Sequence, residues 1–120
     1  MSQTYEFHIT VEGFDPAKKN EIQAEVESSW DFADWYEFQS KNGPAMRSSG
    51  TDQLAGQSDT EFAGELTAAI WKINGKFCKV TVNSTFLDNL PTDTYSFEEE
   101  EYKDFLDEQK KNNSEEAEPA

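Results

Sequence analysis

TYEFHITV, residues 4–11, alternates strictly, with Tyr5, Phe7, Ile9 and Val11 on one side of an extended chain and Glu6, His8 and Thr10 on the other. A two-residue period of this kind predicts a strand with one face in a core and one in water. CKVTVNSTF at 78–86 repeats the pattern, setting Cys78, Val80, Val82, Ser84 and Phe86 against Lys79, Thr81, Asn83 and Thr85. Two such strands make half a core, and the other half has to come from helices laid over their apolar faces.

The intervening sequence supplies them. Asp15-Pro16 offers an N-cap and a proline suited to the first helical position. Ile22, Val26, Trp30 and Ala33 follow at i, i+4, i+8 and i+11, an apolar stripe that predicts a helix ending near Trp30. Residues 31–39 carry Phe32, Trp35, Tyr36 and Phe38 and fit either a second strand or a continuation of that helix. Residues 40–57 hold three of the six glycines and a proline, which reads as a loop with a short strand near 52–55. Ser58-x-x-Glu61 is a capping box. It opens a helix with Phe62, Leu66, Ala69, Ile70 and Ile73 on its apolar side, closed by Asn74-Gly75. Beyond Leu90-Pro91, Ser96-x-x-Glu99 reads as another capping box before a short acidic helix bearing Tyr102, Phe105 and Leu106.

The expected architecture is therefore α+β: a small, mostly antiparallel sheet with helices on one face, in ferredoxin-like (split βαβ) order, ending in an acidic helix. Residues 1–109 form the single domain, and 110–120 (KKNNSEEAEPA) read as a disordered acidic tail. Low apolar content (35%) with a net charge of −15 on 120 residues is also a signature of disorder. Sixteen aromatic residues argue against that for most of the chain, since each ring can bury roughly 150–250 Å².

Net charge excludes some functions directly. Phosphate neutralisation needs a basic face, so direct nucleic-acid binding is not expected. An anionic membrane would repel the chain, and no apolar run approaches the ~18 residues of a transmembrane helix. Cys78 is the sole cysteine, and the first residues lack the basic and apolar regions of a signal peptide, so the default compartment is the cytoplasm.

Catalytic patterns are missing. No phosphate-binding loop, dinucleotide fingerprint, nucleophile elbow or C-x-x-C occurs. His8, the sole histidine, falls on the polar side of its strand and Cys78 on the apolar side of another, so the two are not expected to meet. One histidine and one cysteine cannot build a zinc site without carboxylates, and no calcium-loop pattern is present. The expectation is a non-enzyme without cofactor or metal.

The acidic residues remain. Residues 21–37 hold six acids and no base, residues 88–120 twelve acids and three lysines, and the stretch 38–87 is slightly basic. On a helix, Glu21 and Glu25 stack at i, i+4, as would Glu27, Asp31 and Asp34 if the helix ran that far. Neighbouring carboxylates would then lie roughly 5–6 Å apart at Cβ, comparable to successive phosphates of a nucleic acid. Glu98, Glu101, Asp104, Asp107 and Glu108 line the outer face of the last helix. With Glu37 and the aromatics Trp35 and Tyr36, these residues are the expected binding surface for a basic protein partner, the aromatics as anchors ringed by charge.

The most specific reading is a nucleic-acid mimic that inhibits a basic partner such as a nuclease, of the anti-restriction or anti-CRISPR type carried by phages and mobile elements. An immunity protein or antitoxin masking a toxin would use the same electrostatics. An adaptor whose acidity only confers solubility is the reading from a different class.

Overall fold

A computed structural model of the chain describes residues 3–54, 58–86 and 92–117, with side chains for 4–54, 58–86 and 92–110. Among the described residues five strands form one antiparallel sheet: β1 (Gln3–Glu12), β2 (Ala33–Ser40), β3 (Gly43–Leu54), β4 (Lys79–Phe86) and β5 (Thr92–Phe97), in the order β2-β3-β1-β4-β5. Three α-helices accompany it: α1 (Lys19–Ser29), α2 (Asp59–Asn74) and α3 (Glu99–Ala117). The fold is α+β. Helix α1 carries the chain from β1 past β3 to β2, and α2 carries it from β3 past β1 to β4. Two split β-α-β crossovers thus interlock, followed by β5, a strand the sequence reading did not include, and the expected acidic helix α3.

β1 sits at the centre and sets the face on which the core is built. Phe7, Ile9 and Val11 are fully buried. Their cross-strand neighbours are Gly50, Ser48 and Met46 on β3 and Ser84, Val82 and Val80 on β4. Ile22 and Val26 of α1 and Phe62, Leu66 and Ile70 of α2 close over this face. Phe7 is the hub, 4.6 Å from the Trp30 ring edge-on and 4.8 Å from Phe62.

Both central helices end as their sequences imply. Asp15 accepts from the Ala17 amide and caps a short 3-10 turn, Pro16–Lys18, that leads into α1. α1 stops at Ser29, with Trp30 extended. Ser58 Oγ accepts from the Glu61 amide at 3.1 Å, and Gly75 takes the left-handed conformation (φ 77°) that ends α2. Asp59, in the first turn, accepts from Ser84 Oγ (2.9 Å) and Tyr95 OH (3.0 Å), tying α2 to β4 and β5.

Two expectations need correction, and one alternative left open by the sequence closes. Most of the stretch read as a loop, 40–57, is the twelve-residue strand β3. Its core-side positions run Met46, Ser48, Gly50, Asp52 and Leu54, with large apolar residues only at the two ends, so no alternation is visible; the ladders to β1 and β2 impose the extended chain. Residues 33–40 are a strand and do not continue α1, with a register shift between Ala33 and Tyr36 and Asp34 at φ 58°. Ser96 lies within β5, opposite Thr81, so Ser96-x-x-Glu99 does not form the cap; instead the Tyr102 amide donates to the Glu98 carbonyl. The backbone of α3 continues helical to Ala117. Ala55, Leu90-Pro91 and residues 118–120, also covered by those expectations, lie outside the described residues.

Gly50 is where the fold has least room. The chain leaving α1 crosses directly above it: a Cβ at 50 would collide with the Asp31 carbonyl, and the Trp30 indole donates to the Gly50 carbonyl at 2.9 Å. Backbone cannot yield as a flexible side chain can. Gly50→Ala is expected to destabilise the protein by about 3 kcal/mol, the top of the usual overpacking range, in urea unfolding. Gly64→Ala, whose Cβ would meet nothing within 4 Å in α2, should stabilise it by up to about 1 kcal/mol.

Candidate functional site

The two faces of the sheet differ in kind. The uncovered face carries Thr10, Ser49, Thr81, Asn83, Thr85, Thr94 and Ser96, and hydroxyls bridge its strands: Thr85 to Thr92 and Thr94 to Asn83, both at 2.8 Å. Its charges nearly balance, with Glu6 and Glu12 against Arg47 and Lys79 in register on β1, β3 and β4, and Asp34 at the β2 edge beside His8, Tyr36 and Arg47. Glu6 is hydrogen-bonded to His8 at 3.0 Å. Antiparallel sheets commonly keep one such wet face.

The helical side is where the acids gather. Glu21, Asp31, Glu101, Asp104, Asp107 and Glu108 are exposed and Glu25 partly so, whereas exposed Glu98 precedes α3 and does not lie along it, sitting at the sheet end beside Glu12 and Lys79. The sequence-predicted surface is only partly assembled, however. Because α1 ends at Ser29, Glu27, Asp31 and Asp34 do not stack along one helix: Asp31 lies in the connection and Asp34 at the irregular start of β2. Glu27 accepts from the Trp35 indole at 2.7 Å, and Glu37 is paired with Lys19 Nζ at 3.2 Å. Both carboxylates already have intramolecular partners. Trp35 is half-buried against the core, not a projecting anchor. Tyr36 is exposed, but beside Phe38 and beneath the Arg47 guanidinium (5.2 Å), on the uncovered sheet face and away from α1. Successive strand residues point to opposite faces, which separates Trp35 from Tyr36.

α3 is held by rings. Tyr102 lies 5.2 Å and Phe105 5.5 Å from Trp71, and Phe77 lies 5.6 Å from Tyr102. Beside this cluster an open groove of about 360 Å³ runs between α2 and α3, lined by Gly64, Thr67, Ala68 and Trp71 on one side and Glu101, Asp104, Phe105 and Glu108 on the other, with Phe97 at its edge. Sequence reasoning picked out the three carboxylates and missed this apolar floor. The signal available was the small-residue spacing Gly64, Thr67, Ala68 at i, i+3, i+4, but nothing local shows which helix it faces.

Cys78 and His8 are not brought together. His8 is exposed on the uncovered face, whereas Cys78 is buried. Burial pushes the Cys78 thiol up from its ordinary 9.0 to about 12, against a small downward pull from Lys76. The Tyr95 phenol is also raised; its bond with Thr60 acts downward but is outweighed by burial and the Asp59 carboxylate. Among the described residues no three His, Cys, Asp or Glu side chains gather as a metal site, and no helix is long and apolar enough to cross a membrane.

No family model matches the chain, and comparison with curated proteins and with solved structures finds no match either.

A thiol held protonated has a readable consequence. Iodoacetamide at about pH 8 should leave native Cys78 unmodified and label it fully in urea, as mass spectrometry would show. Because the folded value lies above the unfolded one, the thiol's contribution to stability is complete below pH 9 and disappears as pH rises toward 12. Cys78→Ala should therefore lose less stability than the parent over that alkaline range, although it starts lower.

Proposed function

We propose that the protein is a non-catalytic acidic binder that occupies a basic, nucleic-acid-binding surface of a protein partner in the cytoplasm. The observation that carries this reading is the segregation of charge. Exposed carboxylates of α1, α3 and the connection after α1 lie on the helical side, while the uncovered sheet face is hydroxyl-rich and close to neutral. Acids serving solubility alone would have no reason to be this much denser on one side than on the other. Like charges spaced at i, i+4 cost a helix a few tenths of a kcal/mol per pair, and gathering them costs more than spreading them.

An inhibitor of a nuclease, of the kind phages and mobile elements direct at host restriction or CRISPR systems, is the form of this function with the most demanding electrostatics. Carboxylates take the places of phosphates in a cleft of Lys and Arg, and attraction at a distance makes association fast and salt-sensitive.

The test is capture from a nuclease-treated lysate of the producing cell on immobilised protein. A bound protein should be released as salt rises from about 50 to 500 mM and displaced by duplex DNA or by RNA. Neutralising Glu21, Glu25 and Asp31 together, or Glu98, Asp104 and Asp107 together, should weaken its retention by about tenfold or more. Retention indifferent to salt and to nucleic acid would overturn the reading.

A further inference from the structure

The groove between α2 and α3 has two chemically different walls. α2 contributes Gly64, Thr67, Ala68 and Trp71 at i, i+3, i+4 and i+7, a wall of small groups ending in an indole. α3 contributes Phe105 and the carboxylates of Glu101, Asp104 and Glu108, with Phe97 of β5 at the edge. Gly64 presents no side chain, and nothing lies within 4 Å of where its Cβ would be. The helices meet through Trp71, Tyr102 and Phe105, and beside that seam about 360 Å³ stays open, within the roughly 300–1,000 Å³ of ligand sites.

From these features we infer that the groove receives an amphipathic basic helix of the partner protein. The floor takes the apolar ridge of such a helix, and the small, partly exposed residues Gly64 and Ala68 let its backbone approach closely, Thr67 between them being fully buried. Glu101, Asp104 and Glu108 span eight residues of α3, about 10 Å along its axis. They therefore meet Lys or Arg placed on successive turns of a helix lying alongside, the mode in which amphipathic helices fill grooves. Charge decides among occupants. A second copy of this chain, itself at −15, would set its own carboxylates against the rim, and phosphates of a lipid or nucleic acid would be repelled in the same way. The inference rests on the reading of the protein as a binder of basic partners and adds to it where, and through what element, the partner is held.

Fluorescence anisotropy with a labelled synthetic peptide of about four helical turns tests it. The peptide carries Leu and Ala at i, i+3, i+4 and i+7 and Lys elsewhere. Its control has the same composition shuffled so that no apolar face forms. The amphipathic peptide should bind at least about tenfold more tightly than the control. Gly64→Leu fills the groove and should reduce binding by about tenfold while the thermal melt shows an intact fold. Glu101→Gln/Asp104→Asn/Glu108→Gln should reduce binding comparably and flatten its salt dependence. Glu6→Gln, the same change of charge on the uncovered face, should alter it by less than about twofold.

Equal binding of the two peptides, or unchanged binding by a folded Gly64→Leu, would overturn the groove. If neutralising Glu21 and Glu25 then weakened both peptides as much as neutralising the rim, general attraction to basic partners would stand without it. Failure of both peptides to bind would also overturn the groove, whereas the broader reading falls only if salt- and nucleic-acid-sensitive capture fails.

Discussion

A sheet with one face in water has a single face on which to build a core, and β1 commits the molecule to that choice. Phe7, Ile9 and Val11 lie on its covered side and are completely buried; His8 and Thr10, between them, look outward. Everything else follows that parity. Met46, Val80 and Val82 fall on the same side through the ladder registers, and Trp30 and Phe62 meet over Phe7. Gly50 has no side chain because the chain returning from α1 passes over it. A one-residue slip of β1 would exchange its faces and put Phe7 in water.

The same constraint distributes the charge. Helices confined to one side of the sheet expose their polar faces on that side, so acids placed on α1 and α3 end up on one half of the surface. The uncovered face stays neutral because its positions alternate with core positions along β1, β3 and β4, and the sequence fills them mostly with Thr, Ser and Asn. α3 is secured chiefly through the rings around Trp71, since most of its exposed surface is carboxylate. Those carboxylates also resist desolvation, which favours a helix that leaves a groove beside α2 over one packed flush against it.

The parts of the fold legible in the sequence are those whose signals are local. β1 and β4 show their alternation, α1 and α2 their stripes, and Ser58, Glu61 and Gly75 their caps. β3 was not legible: Ser48 and Gly50 occupy core-facing positions without apolar bulk, and what makes them a strand is pairing on one side with β1, more than thirty positions away, and on the other with β2. At Ser96 a local signal pointed the wrong way, since the capping pattern was present but the ladder with Thr81 took that residue into β5. For the candidate surface, composition named the acids but not their company. Glu27 and Glu37 are engaged by Trp35 and Lys19, adjacent Trp35 and Tyr36 point to opposite faces, and the groove exists because residues 64–71 meet residues 97–108.

The central claim is that binding belongs to the helical side and not to the uncovered sheet face. Amide NMR of the labelled protein, titrated with a basic amphipathic helix at two salt concentrations, tests it most directly. The account predicts shifts concentrated at Gly64, Ala68, Trp71, Asp104, Phe105 and Glu108, diminishing at the higher salt. Shifts centred on Thr10, Arg47, Thr81 and Ser96, or spread evenly over both faces, would contradict it.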